Sequence, residues 1–377
     1  MTRIASVAAL IAFAGSATAQ FTPGSLLYIS DIGTTGGVDT INVLDYGPLT
    51  TATLFSFGPD TQDTSRRGGL AQGPDGEFYV GRSDIPVLDP STAVIDRVDD
   101  LFGTPSASNF ASNPELQTVT GIRYDSFTDS LVVLNNPGSA FGVPQDFEGV
   151  QTYDRATGSY DGLQVPESFT NPGVQAVGGG LVPTGRNAGE YYFGSLNGGA
   201  GFDGSLPGNG SRTSTVIARA QFNNPADPSD VTVDFVIDLE PNATGRSEFF
   251  GLLRGMATLP NGNIAFLDAN SFNIWEVVLD SSGNFDSLEV LFDGTAVARG
   301  DNGLGRGIIY NEFTDKLNYI EFAGDGTQDI VEINLDGTGR TILASGIVGL
   351  NSLVAIPAPS TAALLGLGGL AAARRRR

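Results

Sequence analysis

Apolar and polar positions along this chain repeat as one unit. A glycine opens a short apolar segment. A turn follows, then a strongly apolar strand, then a hairpin rich in Val, Ile and Leu. In two copies the turn carries Pro and Gly: Gly69-Leu70-Ala71, Pro74-Asp75-Gly76, Phe78-Tyr79-Val80, and Gly255-Met256-Ala257, Pro260-Asn261-Gly262, Ile264-Ala265-Phe266-Leu267. In two others a Phe-Thr-Asp element sits at the same offset from the glycine: Gly121-Ile122-Arg123-Tyr124 with Phe127-Thr128-Asp129, and Gly307-Ile308-Ile309-Tyr310 with Phe313-Thr314-Asp315. A looser copy runs from Gly178-Gly179-Gly180-Leu181-Val182-Pro183 into Tyr191-Tyr192-Phe193. Each copy is followed by a segment that reads as two further strands, over 87–98, 149–165, 216–239, 274–291 and 330–343. Period-2 runs of β-branched and aromatic residues between Gly, Asn, Asp and Pro clusters are strand signals, and helical periodicity is nearly absent.

These are five full units. A sixth is divided between the ends: Gly349-Leu350-Asn351-Ser352-Leu353-Val354 reads as a lone first strand, and Leu26–Ile29, Thr40–Leu44 and Thr53–Phe55 read as the other three. Four strands per unit at a spacing of ~40–50 residues is the pattern of propeller blades. The expectation is an all-β, six-bladed β-propeller whose first blade is closed by N- and C-terminal strands, which leaves no exposed sheet edge at the seam. A two-domain sandwich is the alternative, and it does not call for a split repeat.

One blade is specific enough to suggest kinship. Asp315-Lys316-Leu317-Asn318-Tyr319-Ile320, followed by Asp329–Asn334 and Leu335-Asp336-Gly337-Thr338-Gly339-Arg340, resembles the YWTD and NHL propeller families. The resemblance implies six blades and a protein that binds proteins, peptides or glycans.

The two ends read as targeting signals. Arg3, the apolar run Ile4–Phe13 and Ala17-Thr18-Ala19 before Gln20 have the charge, apolar and small-residue order of a secretory signal peptide, cut between Ala19 and Gln20. At the other end, Pro357-Ala358-Pro359 leads into an apolar run and then Arg374-Arg375-Arg376-Arg377. This layout resembles the PEP-CTERM signal of exosortase substrates, with Ala358 where that signal has Glu. The apolar run from Thr361 to Ala373 is shorter than the ~20 residues of a spanning helix. The resemblance therefore implies a transient membrane stop read by an exosortase-type processing enzyme, with the arginines on the cytoplasmic side. The expected division is a signal peptide at 1–19, a propeller at 20–355 and a sorting tail at 356–377.

Charge and composition narrow the chemistry. The chain has 42 acids, 20 bases and a net charge of −22. Removing Arg3 and the four terminal arginines leaves 15 bases against the same 42 acids, or −27. Such a surface repels nucleic acid and anionic lipid. With no Cys and no His, disulfides, thiolate chemistry, His-based triads and His-ligated zinc are excluded. Any catalysis rests on Asp, Glu, Arg, Tyr, Ser or Lys316, the only lysine.

Aligning the copies gives candidate site residues. Ser30, Arg82, Asn135, Ser195, Asp268 and Glu321 each follow the second strand of their unit, so all six fall at one mouth of the channel. They read either as a functional polar ring or as ordinary residues where strands meet water. Arg254 and Arg306 precede the repeat glycine in their units, with Arg67 one residue out of register. They are placed to pair with acids of neighbouring blades or to hold a carboxylate-bearing ligand. Asn135, Asp268 and Glu321 together have the oxygen chemistry calcium favours. Asp280–Asp286 lacks the spacing of an EF-hand loop, and the Gly-rich stretch 197–210 lacks the Gly-Lys-Ser/Thr of a phosphate loop.

Two functions follow. One is a non-enzymatic binding or structural protein, exported to the cell surface or extracellular matrix, whose partners are surface glycans or proteins. The other is a calcium-dependent hydrolase or lactonase on the same fold. A two-carboxylate glycosidase or lyase is a third class, but nothing in the sequence singles out such a pair.

Overall fold

A computed structural model describes residues 21–30, 38–58, 64–65, 69–84, 93–116, 119–135, 149–166, 174–183, 187–197, 215–239, 253–268, 271, 273–295 and 304–356. Among these residues there are 25 strands in six sheets and no helix. Both expected targeting signals, the Gly-rich stretch beyond Asn197 and Arg67 lie outside the described residues.

Blade I holds β1 (Leu26–Ser30), β2 (Thr40–Asp45) and β3 (Thr50–Ser56). Blade II holds β4 (Thr64–Ser65), β5 (Leu70–Gln72), β6 (Phe78–Asp84), β7 (Val94–Asp99) and β8 (Ser106–Ser112), with β4 and β5 sharing one edge of β6. Blade III is β9 (Val119–Asp125), β10 (Ser130–Asn135), β11 (Gly149–Asp154) and β12 (Tyr160–Pro166). Blade IV is β13 (Val174–Pro183), β14 (Glu190–Asn197), β15 (Thr215–Asn224) and β16 (Asp227–Asp238). Blade V is β17 (Leu253–Thr258), β18 (Ile264–Asp268), β19 (Asn273–Leu279) and β20 (Phe285–Phe292). Blade VI is β21 (Leu304–Asn311), β22 (Lys316–Phe322), β23 (Gln328–Asn334) and β24 (Thr341–Ile347). The last strand, β25 (Asn351–Ala355), returns to blade I and pairs antiparallel with β1, Ala355 opposite Leu26 and Val354 opposite Leu27. The closure expected from the split repeat is the closure observed.

The innermost strands touch in a ring, β5 to β9 to β13 to β17 to β21 to β25 and back to β5. Alternate residues of each strand point to the two flanking blades, so both faces of a blade are buried and its middle strands read as continuous apolar runs. The core is accordingly six clusters, one at each blade-to-blade interface. The largest buried side chain, Trp275, sits between blades IV and V with Met256, Phe266 and Tyr192.

Blade II corrects one expectation. The segment 87–98 was read as both outer strands, yet the third strand is β7 and the fourth is β8, Ser-Ala-Ser-Asn-Phe-Ala-Ser. An outermost strand pairs on one edge only and buries little, so β8 needs no apolar run and gives no hydrophobic signal.

The repeat glycine has a structural reason. The register between the innermost and second strands shifts at or beside this glycine in blades III, IV, V and VI, and in blade I at Ser352 rather than at Gly349, which marks a bulge in the innermost strand. The chain at this glycine is also tightly packed, with or without a bulge. A Cβ on Gly69, at φ 144°, would come within 2.7 Å of the Ile122 backbone nitrogen, and one on Gly307, at φ 129°, within 3.1 Å of Ile320 Cδ1. Glycine meets both demands.

Candidate functional site

The register of the strands sorts the channel into two mouths. Innermost strands start, and second strands end, at the first mouth. There Leu253 lies opposite Asp268, Leu304 opposite Glu321 and Val119 opposite Asn135. Innermost strands end at the second mouth, beside the hairpins that lead into the second strands. There Gln72 lies opposite Phe78, Tyr124 opposite Leu131 and Tyr310 opposite Leu317.

The aligned polar residues lie at the first-mouth ends of their second strands, Ser30, Asn135 and Asp268 as the last residue and Arg82, Ser195 and Glu321 one or two residues inside rather than past the strand, and those whose side chains are described are largely buried. Glu321 takes a bidentate pair from Arg340, Nη2 to Oε1 at 2.7 Å and Nε to Oε2 at 3.1 Å, and the Tyr319 hydroxyl donates to Oε2 at 3.2 Å. Burial, reinforced by this carboxylate, pushes the Tyr319 phenol well above its ordinary pKa. Asp268 Oδ2 accepts the Ser271 N–H at 2.8 Å, and Ser271 Oγ accepts the Trp275 indole N–H at 2.9 Å, which fixes the turn into β19. Asn135 and Gln151 both donate to the Glu115 carbonyl, at 2.8 and 3.0 Å, and tie down the chain entering β9. Ser30 Oγ accepts from Asn42 at 2.8 Å and lies 2.9 Å from Thr40 Oγ1. Arg82, the most exposed of the described set, has Nε 3.5 Å from Asp96 Oδ2. The backbones of Ser195, Arg254 and Arg306 lie in β14, β17 and β21 near the same mouth, but their side chains are outside those described.

Calcium needs several oxygens converging on one point. Among the described residues no three Asp or Glu side chains converge in this way. Asn135, Asp268 and Glu321 come from blades III, V and VI and are engaged as above. Asp280 turns its Oδ1 to the N–H groups of Ser282 and Asn284, at 2.8 and 2.9 Å, as an ordinary hairpin turn does.

The second mouth is different. A cavity of about 430 Å³ lies there, against the innermost strands of four consecutive blades. Leu70, Ala71, Ile309, Leu353, Val354 and Ala355 make half of its lining, Gln72 adds an amide, and the exposed side chains of Glu312 and Phe313 stand on blade VI. Tyr124 and Tyr310 hold equivalent places in blades III and VI. Each donates its hydroxyl to the aspartate of the Phe-Thr-Asp element, Asp129 at 3.0 Å and Asp315 at 2.9 Å. That bond explains why Tyr and Phe-Thr-Asp recur together: both hairpins are pinned in the same way.

Arg123 is the one cation in this lining. Its Nη1 donates to the carbonyl of the preceding residue, Ile122, at 2.9 Å. Burial pulls its pKa below the usual guanidinium value, opposed by the Tyr191 phenol across the blade III–IV interface. Among the described residues no carboxylate lies within ion-pair distance of Arg123. The other basic side chains described all have one: Arg82, Arg97, Arg155, Arg219, Lys316 and Arg340.

Arg123 was not among the residues singled out from the sequence, yet the repeat held a signal. Counting two residues on from the repeat glycine gives Ala71, Arg123, Val182, Ala257 and Ile309, and Val354 is the equivalent in β25 by its pairing with Leu27. Five of these six positions are apolar and one is arginine.

No family model matches the chain, and no curated protein does. Solved structures do. Periplasmic gluconolactonase of Pseudomonas aeruginosa aligns at TM-score 0.54 and 12% identity, covering 89% of this chain and 100% of that one. TolB from Acinetobacter baumannii aligns at TM-score 0.53 and 14% identity, covering 88% of this chain and 66% of that one. At these identities the likeness is one of fold. These neighbours are of TolB and gluconolactonase type rather than YWTD or NHL type. The hairpin that carried the suggestion is a tight turn, with the Gly337 N–H on the Asn334 carbonyl at 2.9 Å, and blade V repeats it with Gly283 on Asp280 at 3.0 Å. Turn chemistry of this kind recurs in unrelated hairpins. The chain is similar in architecture to these solved structures and stands apart from them in sequence.

Proposed function

We propose that the chain is an exported, non-enzymatic binding propeller of the cell surface or extracellular matrix, which takes its ligand or partner through the central channel. In this reading an exosortase-type enzyme processes the tail around Pro357 and Pro359, with a transient membrane contact through the run ending at Arg374–Arg377. Surface glycans or proteins are the partners, and nucleic acid is disfavoured by the charge.

One observation carries the choice of binder over hydrolase. The first-mouth acids already have protein partners, Glu321 in the bidentate grip of Arg340 and Asp268 on the Ser271 amide. A carboxylate held this way has given its oxygens to the fold. The calcium-dependent lactonase remains the second reading. It draws on a fold shared with a gluconolactonase and on an oxygen-rich chain.

Calorimetric titration with calcium, run beside thermal melts in calcium and in chelator and a screen of lactones and esters, separates the two. The binder reading expects no saturable calcium heat, no calcium-dependent melting shift and no turnover. Calcium-dependent turnover abolished by Asp268→Asn would establish the hydrolase instead.

A further inference from the structure

The cavity at the second mouth carries a more specific inference, which rests on the reading of the propeller as a binding protein. A half-buried guanidinium without a counter-charge is unfavourable, because the water it loses is not replaced by a partner. Arginine stays cationic even when burial lowers its pKa, since it begins above ~12. Arg123 therefore places one positive charge on the wall of a cavity of about 430 Å³, within the ~300–1,000 Å³ of small-molecule sites. The repeat offers Ala, Val or Ile at this position in every other blade. The fold does not need the charge there.

We propose that this cavity is a binding site for a small organic monocarboxylate with an apolar body, held by Arg123. The chemistry selects the class. A guanidinium meets a carboxylate through two parallel hydrogen bonds, and a single cation balances a single negative charge. The wall formed by Leu70, Ala71, Ile309, Leu353, Val354 and Ala355 is apolar and suits a hydrocarbon chain or ring rather than a polyol or a phosphate dianion. Phe313 on the same wall offers an exposed aromatic face, while Glu312, on the blade opposite Arg123 in the ring, disfavours a second negative group. Tyr124 and Tyr310 commit their hydroxyls to Asp129 and Asp315. Arg123 is thus left as the group that recognises charge.

The test is ligand-observed NMR on the full chain with linear carboxylates from butyrate to decanoate and phenylacetate, each beside its neutral amide. Inorganic phosphate and a short peptide with a free C-terminus complete the panel. The expected result is saturable binding of at least one free carboxylate, with the matched amide about tenfold weaker or worse, and loss of that preference in Arg123→Leu. Arg123→Leu should fold with an unchanged or raised Tm, so lost binding is not lost structure. The proposal is overturned if no carboxylate binds up to about 10 mM, a range that still reports very weak sites. It is equally overturned if Arg123→Leu binds carboxylates as the parent does, or if phosphate or the peptide binds tighter than every free acid. None of these outcomes bears on calcium or turnover, so the site can fail while the binder reading stands.

Discussion

The two mouths of the channel hold the same kinds of side chain and use them in opposite ways. At the first, Glu321 is a buried acid whose charge is answered within its own blade by Arg340. At the second, Arg123 is a partly buried base with no such answer among the described residues. A charge that is paired belongs to the fold's own energetics. A charge left unpaired beside a cavity works against the fold, and its usefulness lies outside the folded chain. Polar character at a channel mouth therefore says little about function until the partners are known.

The comparison can be broken most directly at the first mouth. Arg340→Ala leaves the Glu321 carboxylate buried without its cation, and removing one member of a buried pair typically costs about 3–5 kcal/mol. Chemical denaturation should show a loss of that order, against none for Arg123→Leu. Equal losses from both substitutions would erase the distinction between the mouths. A smaller effect is expected from Gly69→Ala, which forces a Cβ against Ile122 at a φ of 144°. A side chain in that strained region costs on the order of 1–3 kcal/mol. Wild-type stability in this variant would mean that the close approach of blade II to Ile122 of blade III is not the constraint described here.

The smallest expected effect is a pH dependence. Burial raises the pKa of Tyr79, Tyr153 and Tyr319 in the folded protein. Their contribution is fully present below the unfolded tyrosine value of about 10 and is lost as pH rises beyond it. On the acid side, the Arg155 hydrogen bond holds Asp129 below its ordinary value, so that contribution is present above about pH 4 and lost as pH falls. With no histidine in the chain, melting temperature should be flat from about pH 6 to 9, because no unperturbed side chain titrates there. Tyr319→Phe should blunt the alkaline loss, and an unaltered alkaline limb would remove the first-mouth tyrosine from this account.

The blades were legible because their physics is local and repeated. Each copy buries both faces, so apolar strands stand out, and the tight turns after Gln72 and Leu259 require Gly and Pro-rich chemistry. Even the divided blade could be read, since Leu353 and Val354 continue the pattern that Tyr28 and Leu27 answer across β25 and β1. The outermost strand β8 was not legible, because a polar edge strand owes its place to backbone pairing with β7. Of the site, the repeat register put Asp268 and Glu321 at one mouth, opposite Leu253 and Leu304, but carried nothing about their partners. Arg340 reaches Glu321 from 19 positions away, and no periodicity encodes that meeting.

By itself, then, the sequence determined the six-fold repeat, the split first blade, the acidic surface and the absence of thiol and imidazole chemistry. Each of these is a property of residue identity and short-range order. Tertiary structure alone decided which charges are spent and which are free. It brought Arg340 to Glu321 at one mouth, and at the other it set Arg123 in the wall of a cavity made by four different blades. The reason is that pairing and desolvation depend on distances between residues far apart in the chain, which only closure of the ring fixes.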